Sequence, residues 1–149
     1  IHMNEKMDEG NIILQQSVSI STTETFGSLH NTLAECTKTC IQRTVKNWIK
    51  TKSLSSYPQN HTQATYCSKL NKASFYLNPT DSIQTNIAKI KAFSPKPGAY
   101  SYCNNNRIKI LEATTTRNRI IPLIVQPEGK KPMPYIDFQR GSQHPIELC

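Results

Sequence analysis

Long apolar stretches are missing from this chain. Its longest apolar run, Ile120-Ile121-Pro122-Leu123-Ile124-Val125, is broken by a proline and falls far short of the roughly 20 residues that span a bilayer. A transmembrane helix is therefore excluded. No charged leader followed by an apolar core opens the sequence, so no signal peptide is visible and a cytoplasmic location is expected. Glycine (5) and proline (9) are too few for a collagen-like or low-complexity chain. Hydrophobic residues, at 36%, are lean yet above the level of disordered segments, and 149 residues suit one ordinary domain or a small domain plus a piece of another. The five cysteines (36, 40, 67, 103 and 149) are odd in number and uneven in spacing, which fits free thiols better than a disulfide framework. Asn60-His61-Thr62 has the form of a glycosylation sequon, but without a secretory leader coincidence explains it best.

Acidic residues are also scarce, and unevenly so. Against 18 Lys+Arg there are 10 Asp+Glu, a net charge of +8. Residues 1–37 hold one Lys/Arg and five acids (net −4), and residues 38–149 hold 17 Lys/Arg and five acids (net +12). A basic majority beside an acidic start points to two parts, the basic one facing a polyanion or serving only as a solubilising surface. Composition does not choose between these.

Hydrophobic periodicity sketches the elements. Asn11–Leu14, with Val18 and Ile20 beyond, reads as a strand or strand pair entered through Gly10. From Thr25 to Lys50 the period is helical, with Leu29, Leu33, Cys36, Cys40, Trp48 and Ile49 near one face and Thr23 or Thr25 as N-cap. Cys36 and Cys40 share that face. No further ligand follows at metal-binding spacing, so core packing is the better reading and no metal site is expected. Residues 53–66 are polar and aperiodic, as in a linker. Ile83, Ile87, Ile90 and Phe93 give a second helix a buried stripe, and Ser94-Pro95-Lys96-Pro97-Gly98 stops it. Ala99–Cys103 and 107–113 form a hairpin around Asn104-Asn105-Asn106, and Arg107-Ile108-Lys109-Ile110 alternates, with one face basic and the other apolar. A third strand is predicted at Ile120–Val125, on an edge because of Pro122. A basic turn over 127–132 and a short helix or coil around Ile136–Gln139 complete the outline.

Three segments, in order, resemble the methionyl-tRNA formyltransferase family. Met7-Asp8-Glu9-Gly10-Asn11-Ile12-Ile13 is similar to the family's LDTGDM(L/I) segment. Ala64-Thr65-Tyr66-Cys67-Ser68-Lys69-Leu70 and then Lys89-Ile90-Lys91-Ala92-Phe93-Ser94-Pro95-Lys96-Pro97-Gly98-Ala99 resemble ATYAxKL and KIRAFNPWPGA, with Ser94 and Lys96 replacing the usual Asn and Trp. Residues 126–133 with Asp137-Phe138-Gln139-Arg140-Gly141 resemble LQPEGKKxM and DFLRG. The resemblance implies an α/β remnant over 1–52, the end of a Rossmann-like formyltransferase domain. It further implies a linker over 53–63 and a mostly β, OB-like barrel over 64–149, with too few strands visible to close.

The implied activity is formyl transfer from 10-formyltetrahydrofolate to the amino group of initiator methionyl-tRNA, in translation initiation. Asp8 matches the aspartate of the family's catalytic Asn, His and Asp; its plain alternative is an ordinary turn carboxylate beside Gly10. His2 does not match the catalytic His motif, and neither that His nor the Asn has a counterpart here, so these residues are expected to be inactive alone. Lys89, Lys91, Lys96, Arg107, Lys109, Lys130 and Lys131 are candidate tRNA contacts, and no site for the folate co-substrate is assigned. Tyr100 and Tyr102 lie among them as candidate base-stacking residues, although hairpin packing is the better reading. The partner implied is initiator methionyl-tRNA, with no membrane, and the chain is expected to be a monomer. Two alternatives stand beside this: a stand-alone basic RNA-binding module, and a formyltransferase with another acceptor.

Overall fold

The computed structural model describes all residues except 118, 143, 147 and 149. Contacts divide the chain into two compact units, Ile1–Ile20 with His30–Lys69 and Ser21–Leu29 with Leu70–Cys149. Helix α1 (Phe26–Thr51) contributes to both.

In the first unit the strand predicted at Asn11–Leu14 is not formed. Ile12 makes a single antiparallel bridge to Tyr57, with backbone N–H···O distances of 2.9 and 3.0 Å. Tyr57 lies in the polar segment read as a linker, and the next backbone acceptor, the Gly10 carbonyl, is taken there by the Gln59 side chain. The same polar segment holds the chain start through side chains. Tyr57 Oη donates to Gln15 Oε1 at 3.1 Å, and Gln59 Nε2 donates to the carbonyls of Asp8 and Gly10, both at 2.7 Å. Gly10 is buried so closely that a Cβ there would land on the His2 carbonyl oxygen. Along α1 no residue is buried: Leu33, Ile41 and Trp48 stay 44%, 58% and 50% exposed. Cys36 and Cys40 sit half-buried on a groove of about 480 Å³ that α1 forms with residues 13–16.

The second unit is a small α/β domain. Thr25 caps α1, its Oγ1 accepting from Ser28 N at 3.2 Å while its own N–H donates to Ser28 Oγ at 3.0 Å. Helix α2 (Ile83–Phe93) starts at Ser82, whose Oγ accepts from Thr85 N at 3.1 Å. It buries Ile90 and packs Ile83, Ile87 and Phe93 onto the core, as the sequence stripe predicts. Asn86 is fully buried and donates to the Asn78 carbonyl at 2.8 Å. Gly98 closes the turn after α2 at φ +86°, with its N–H on the Phe93 carbonyl at 2.8 Å.

Four antiparallel strands follow in the order β1-β2-β3-β4: β1 (Ala99–Cys103), β2 (Asn106–Thr116), β3 (Arg119–Pro127) and β4 (Met133–Pro134). The β1–β2 turn needs positive φ at two residues, and Asn104 and Asn105 supply it at 49° and 64°. Strand β3 extends further than predicted and lies between β2 and β4, not at an edge. Strand β4 reaches only Ile124 and Val125, so Pro122 pairs with Ala113 on one side and meets no ladder on the other. An irregularity at Leu111 follows Ile110: Ile110 enters the core, while Leu111 is buried outside that cluster, beside Gly98 and Lys109. Helix α3 (Tyr135–Gly141) rests on β3, and Ile146 returns to the core beside Cys103, whose Sγ bonds the His144 carbonyl at 3.2 Å. Leu77, Ile90, Ala99, Ile108, Ile110 and Val125 form the centre of that core.

Candidate nucleic-acid interface

The pleat of β2 decides what reaches the outer face of the sheet. Ile108 and Ile110 turn inward, so Arg107 and Lys109 turn outward. Registry then sets their neighbours: Tyr102 lies opposite Arg107, Tyr100 opposite Lys109, and Gln126 opposite Lys109 on the far side. The basic turn after β3 brings up Glu128 and Gly129, the latter at φ 71°. Arg107, Lys109, Gln126, Pro127, Glu128 and Gly129 line an open cleft of about 210 Å³. Arg107 Nη2 donates to Glu128 Oε1 at 2.8 Å, and Gln126 Nε2 donates to the Lys130 carbonyl at 2.9 Å, which fixes the turn.

Three tyrosines stand beside this cleft. Leu77 is buried and donates its N–H to the Tyr100 carbonyl at 2.8 Å, which brings Tyr76 next to β1. The Tyr76 ring lies 5.6 Å from Tyr100 and 5.9 Å from Tyr102, and Tyr100 and Tyr102 meet edge-to-face at 5.8 Å. The Arg107 guanidinium sits 5.6 Å from the Tyr100 ring centre. Partial burial raises the Tyr100 pKa above its ordinary value, the Tyr102 hydroxyl adds to this, and Arg107 opposes it. Sequence reasoning noted Tyr100 and Tyr102 but missed Tyr76, which only a contact distant along the chain brings in.

The remaining candidate cations fall into two groups. Lys96, Lys130 and Lys131 are exposed. Lys89 and Lys91 are engaged within the unit: Lys89 Nζ bonds Asp81 Oδ2 at 2.7 Å and the Tyr76 carbonyl at 3.2 Å, and Lys91 Nζ bonds the Thr22 carbonyl at 2.7 Å. Asp8 lies in the first unit, at φ 60° and exposed. Among the described residues no group bonds its carboxylate, and none of the groups of three or more His, Cys, Asp or Glu that hold a metal occurs. Among the described residues, too, no helix is long and apolar enough to cross a membrane.

Known proteins resemble this sequence. The family described as "Formyl transferase, C-terminal domain" matches residues 69–121, the stretch that carries α2, β1 and β2. Relatives named methionyl-tRNA formyltransferase include that of Treponema pallidum strain Nichols, 28% identical over 95% of this chain and 52% of its own length. That of Carboxydothermus hydrogenoformans is 30% identical over 93% of this chain and 53% of its own length. That of Orientia tsutsugamushi is 34% identical over 79% of this chain and 38% of its own length. The chain spans about half the length of the curated relatives it matches. Residues 69–121 thus match the formyltransferase C-terminal domain, and the chain is similar to the C-terminal part of the methionyl-tRNA formyltransferases.

Proposed function

We propose that this chain is the tRNA-holding, C-terminal portion of a methionyl-tRNA formyltransferase, acting on initiator methionyl-tRNA in the cytoplasm. In this reading residues 1–52 end a Rossmann-like catalytic domain, 53–63 are a linker, and 64–149 are an incomplete OB-like barrel. The observation that carries it is the basic outer face of β2, where Arg107 and Lys109 line one cleft with the family's QPEGKK turn beside it. Lysine and arginine neutralise phosphates and release counterions, which gives affinity without reading sequence. Lys96, Lys109, Lys130 and Lys131 supply most of this, Arg107 contributes once it exchanges Glu128 for a phosphate, and Lys89 and Lys91 contribute less because internal acceptors already hold their ammonium groups.

In formyl transfer the amino group of methionyl-tRNA bonds to the formyl carbon and loses a proton, and the folate N10–carbon bond breaks with tetrahydrofolate leaving protonated, which calls for proton transfer and a stabilised oxyanion. Asp8 is the proposed catalytic carboxylate, orienting the group that takes the proton. One exposed carboxylate does not supply the positioning and oxyanion stabilisation that lower the barrier. The donor 10-formyltetrahydrofolate needs hydrogen-bonding groups for its pterin and positive charge to meet its carboxylates. The groove on α1 has polar walls in Gln15, Gln16, Thr37 and Thr44 but no Lys or Arg, so it lacks the charge those carboxylates need, and Asp8 does not line it. These 149 residues therefore bind tRNA and do not formylate it unaided.

Filter binding of initiator tRNA, with a formylation assay run with and without a separately supplied N-terminal half of a relative, tests both statements. The reading expects salt-sensitive tRNA binding and formylation only with that half present. Formylation by these residues alone contradicts the second statement, and absence of tRNA binding contradicts the first.

A further inference from the structure

We infer that the Tyr76–Tyr100–Tyr102 cluster and the Arg107–Lys109–Gln126 cleft together form a subsite for one unpaired nucleotide of RNA, the base on the tyrosines and its phosphate in the cleft. The inference rests on the tRNA reading above and goes beyond it, because phosphate contact alone needs no aromatic residue. The cross-strand register places the two halves side by side: Tyr100 faces Lys109, which faces Gln126, and Tyr102 faces Arg107. Tyr102 is 37% exposed, at the solvent side of the cluster, and its edge-to-face packing on Tyr100 holds the ring in a fixed attitude. A fixed, accessible ring flanked by cations suits a base and its phosphate, since a base stacks through its π-face and is sequence-tolerant. Paired bases offer no such face. The ligand is single-stranded or looped RNA for this reason.

Glu128 regulates the cleft. It holds the Arg107 guanidinium at 2.8 Å, and Arg107 Nη2 has to exchange that carboxylate for the incoming phosphate oxygen. Removing the competing charge therefore strengthens binding.

The test uses the full 149-residue chain, a short single-stranded oligoribonucleotide, a blunt RNA duplex of equal charge and initiator tRNA. Tyr102→Ala and Tyr102→Leu lower oligonucleotide affinity about tenfold, the loss expected for one stacked base. Tyr102→Phe retains it, duplex binding is unchanged in all three, and the salt slope stays at the wild-type value. Glu128→Gln raises oligonucleotide affinity about threefold. Exposure of Tyr102 keeps these variants folded, and tyrosine-to-leucine exchange preserves apolar bulk. If the wild type binds tRNA with steep salt dependence but Tyr102→Ala and Tyr102→Leu bind the oligonucleotide as it does, the stacking subsite is overturned and the tRNA reading stands. If the wild type binds none of the three RNAs, both fall.

Discussion

Asn86 shows how much one side chain can hold. It sits on the inward side of α2, fully buried, and donates to the Asn78 carbonyl at the loop before the helix. Asn86→Ala leaves that carbonyl buried without its donor, so about 1–3 kcal/mol of stability is lost, readable as a lower urea midpoint. Lys89 makes a different contribution. Its ammonium joins Asp81 and the Tyr76 carbonyl, so Lys89→Met costs about 1 kcal/mol while changing tRNA affinity less than Lys130→Ala does. Tyr100 titrates late. Its pKa is raised in the folded protein, mainly by partial burial, so the folded state keeps this proton longer than the unfolded chain. The stability this contributes is present below the ordinary tyrosine pKa and is lost as pH rises through the higher folded value. A tyrosinate absorbance titration of wild type and Tyr100→Phe should place the Tyr100 contribution at a higher pH in the folded protein than in urea. The same pH in both contradicts it.

At the scale of elements, local rules and long-range contacts separate cleanly. Helix α2 was legible because its Ser82 cap, its isoleucine stripe and its Pro-Gly stop all lie within one short window. The β1–β2 hairpin was legible because two asparagines accept the positive φ that its turn requires. Strand β4 was not, since Met133-Pro134 is too short for any period and exists only by pairing with Ile124 and Val125. The strand expected near Ile12 failed for the opposite reason: its apolar run is real, but among the described residues only Tyr57 pairs with it. Asn86 broke the apolar stripe of α2 without revealing that it was buried. For the candidate site, alternation exposed Arg107 and Lys109, whereas Tyr76 joins only through the Leu77–Tyr100 contact. The turn entering β1 is the sharpest test of element-level strain. Gly98 is at φ +86° and a Cβ there would come within 2.9 Å of Lys109 Cδ, so Gly98→Ala destabilises the second unit by about 1–2 kcal/mol and disturbs the Lys109 side of the cleft. Chemical denaturation with parallel tRNA binding checks both effects.

Across the whole molecule, charge and fold point the same way. Residues 1–37 carry a net charge of −4 and residues 38–149 a net +12, and within the latter Arg107 and Lys109 stand on the outer face of an antiparallel sheet. The family match covers α2, β1 and β2, the elements that set the register of Arg107 and Lys109. The central claim is that this face holds tRNA through phosphate contacts. Its most direct test is the slope of log affinity for initiator tRNA against log salt concentration, measured for wild type and for the Lys130→Ala/Lys131→Ala double variant. Four free cations (Lys96, Lys109, Lys130 and Lys131), with Arg107 held by Glu128, predict a wild-type slope of about −3, reduced by about 2 in the double variant. A slope near zero, or one that the double substitution leaves unchanged, contradicts the account.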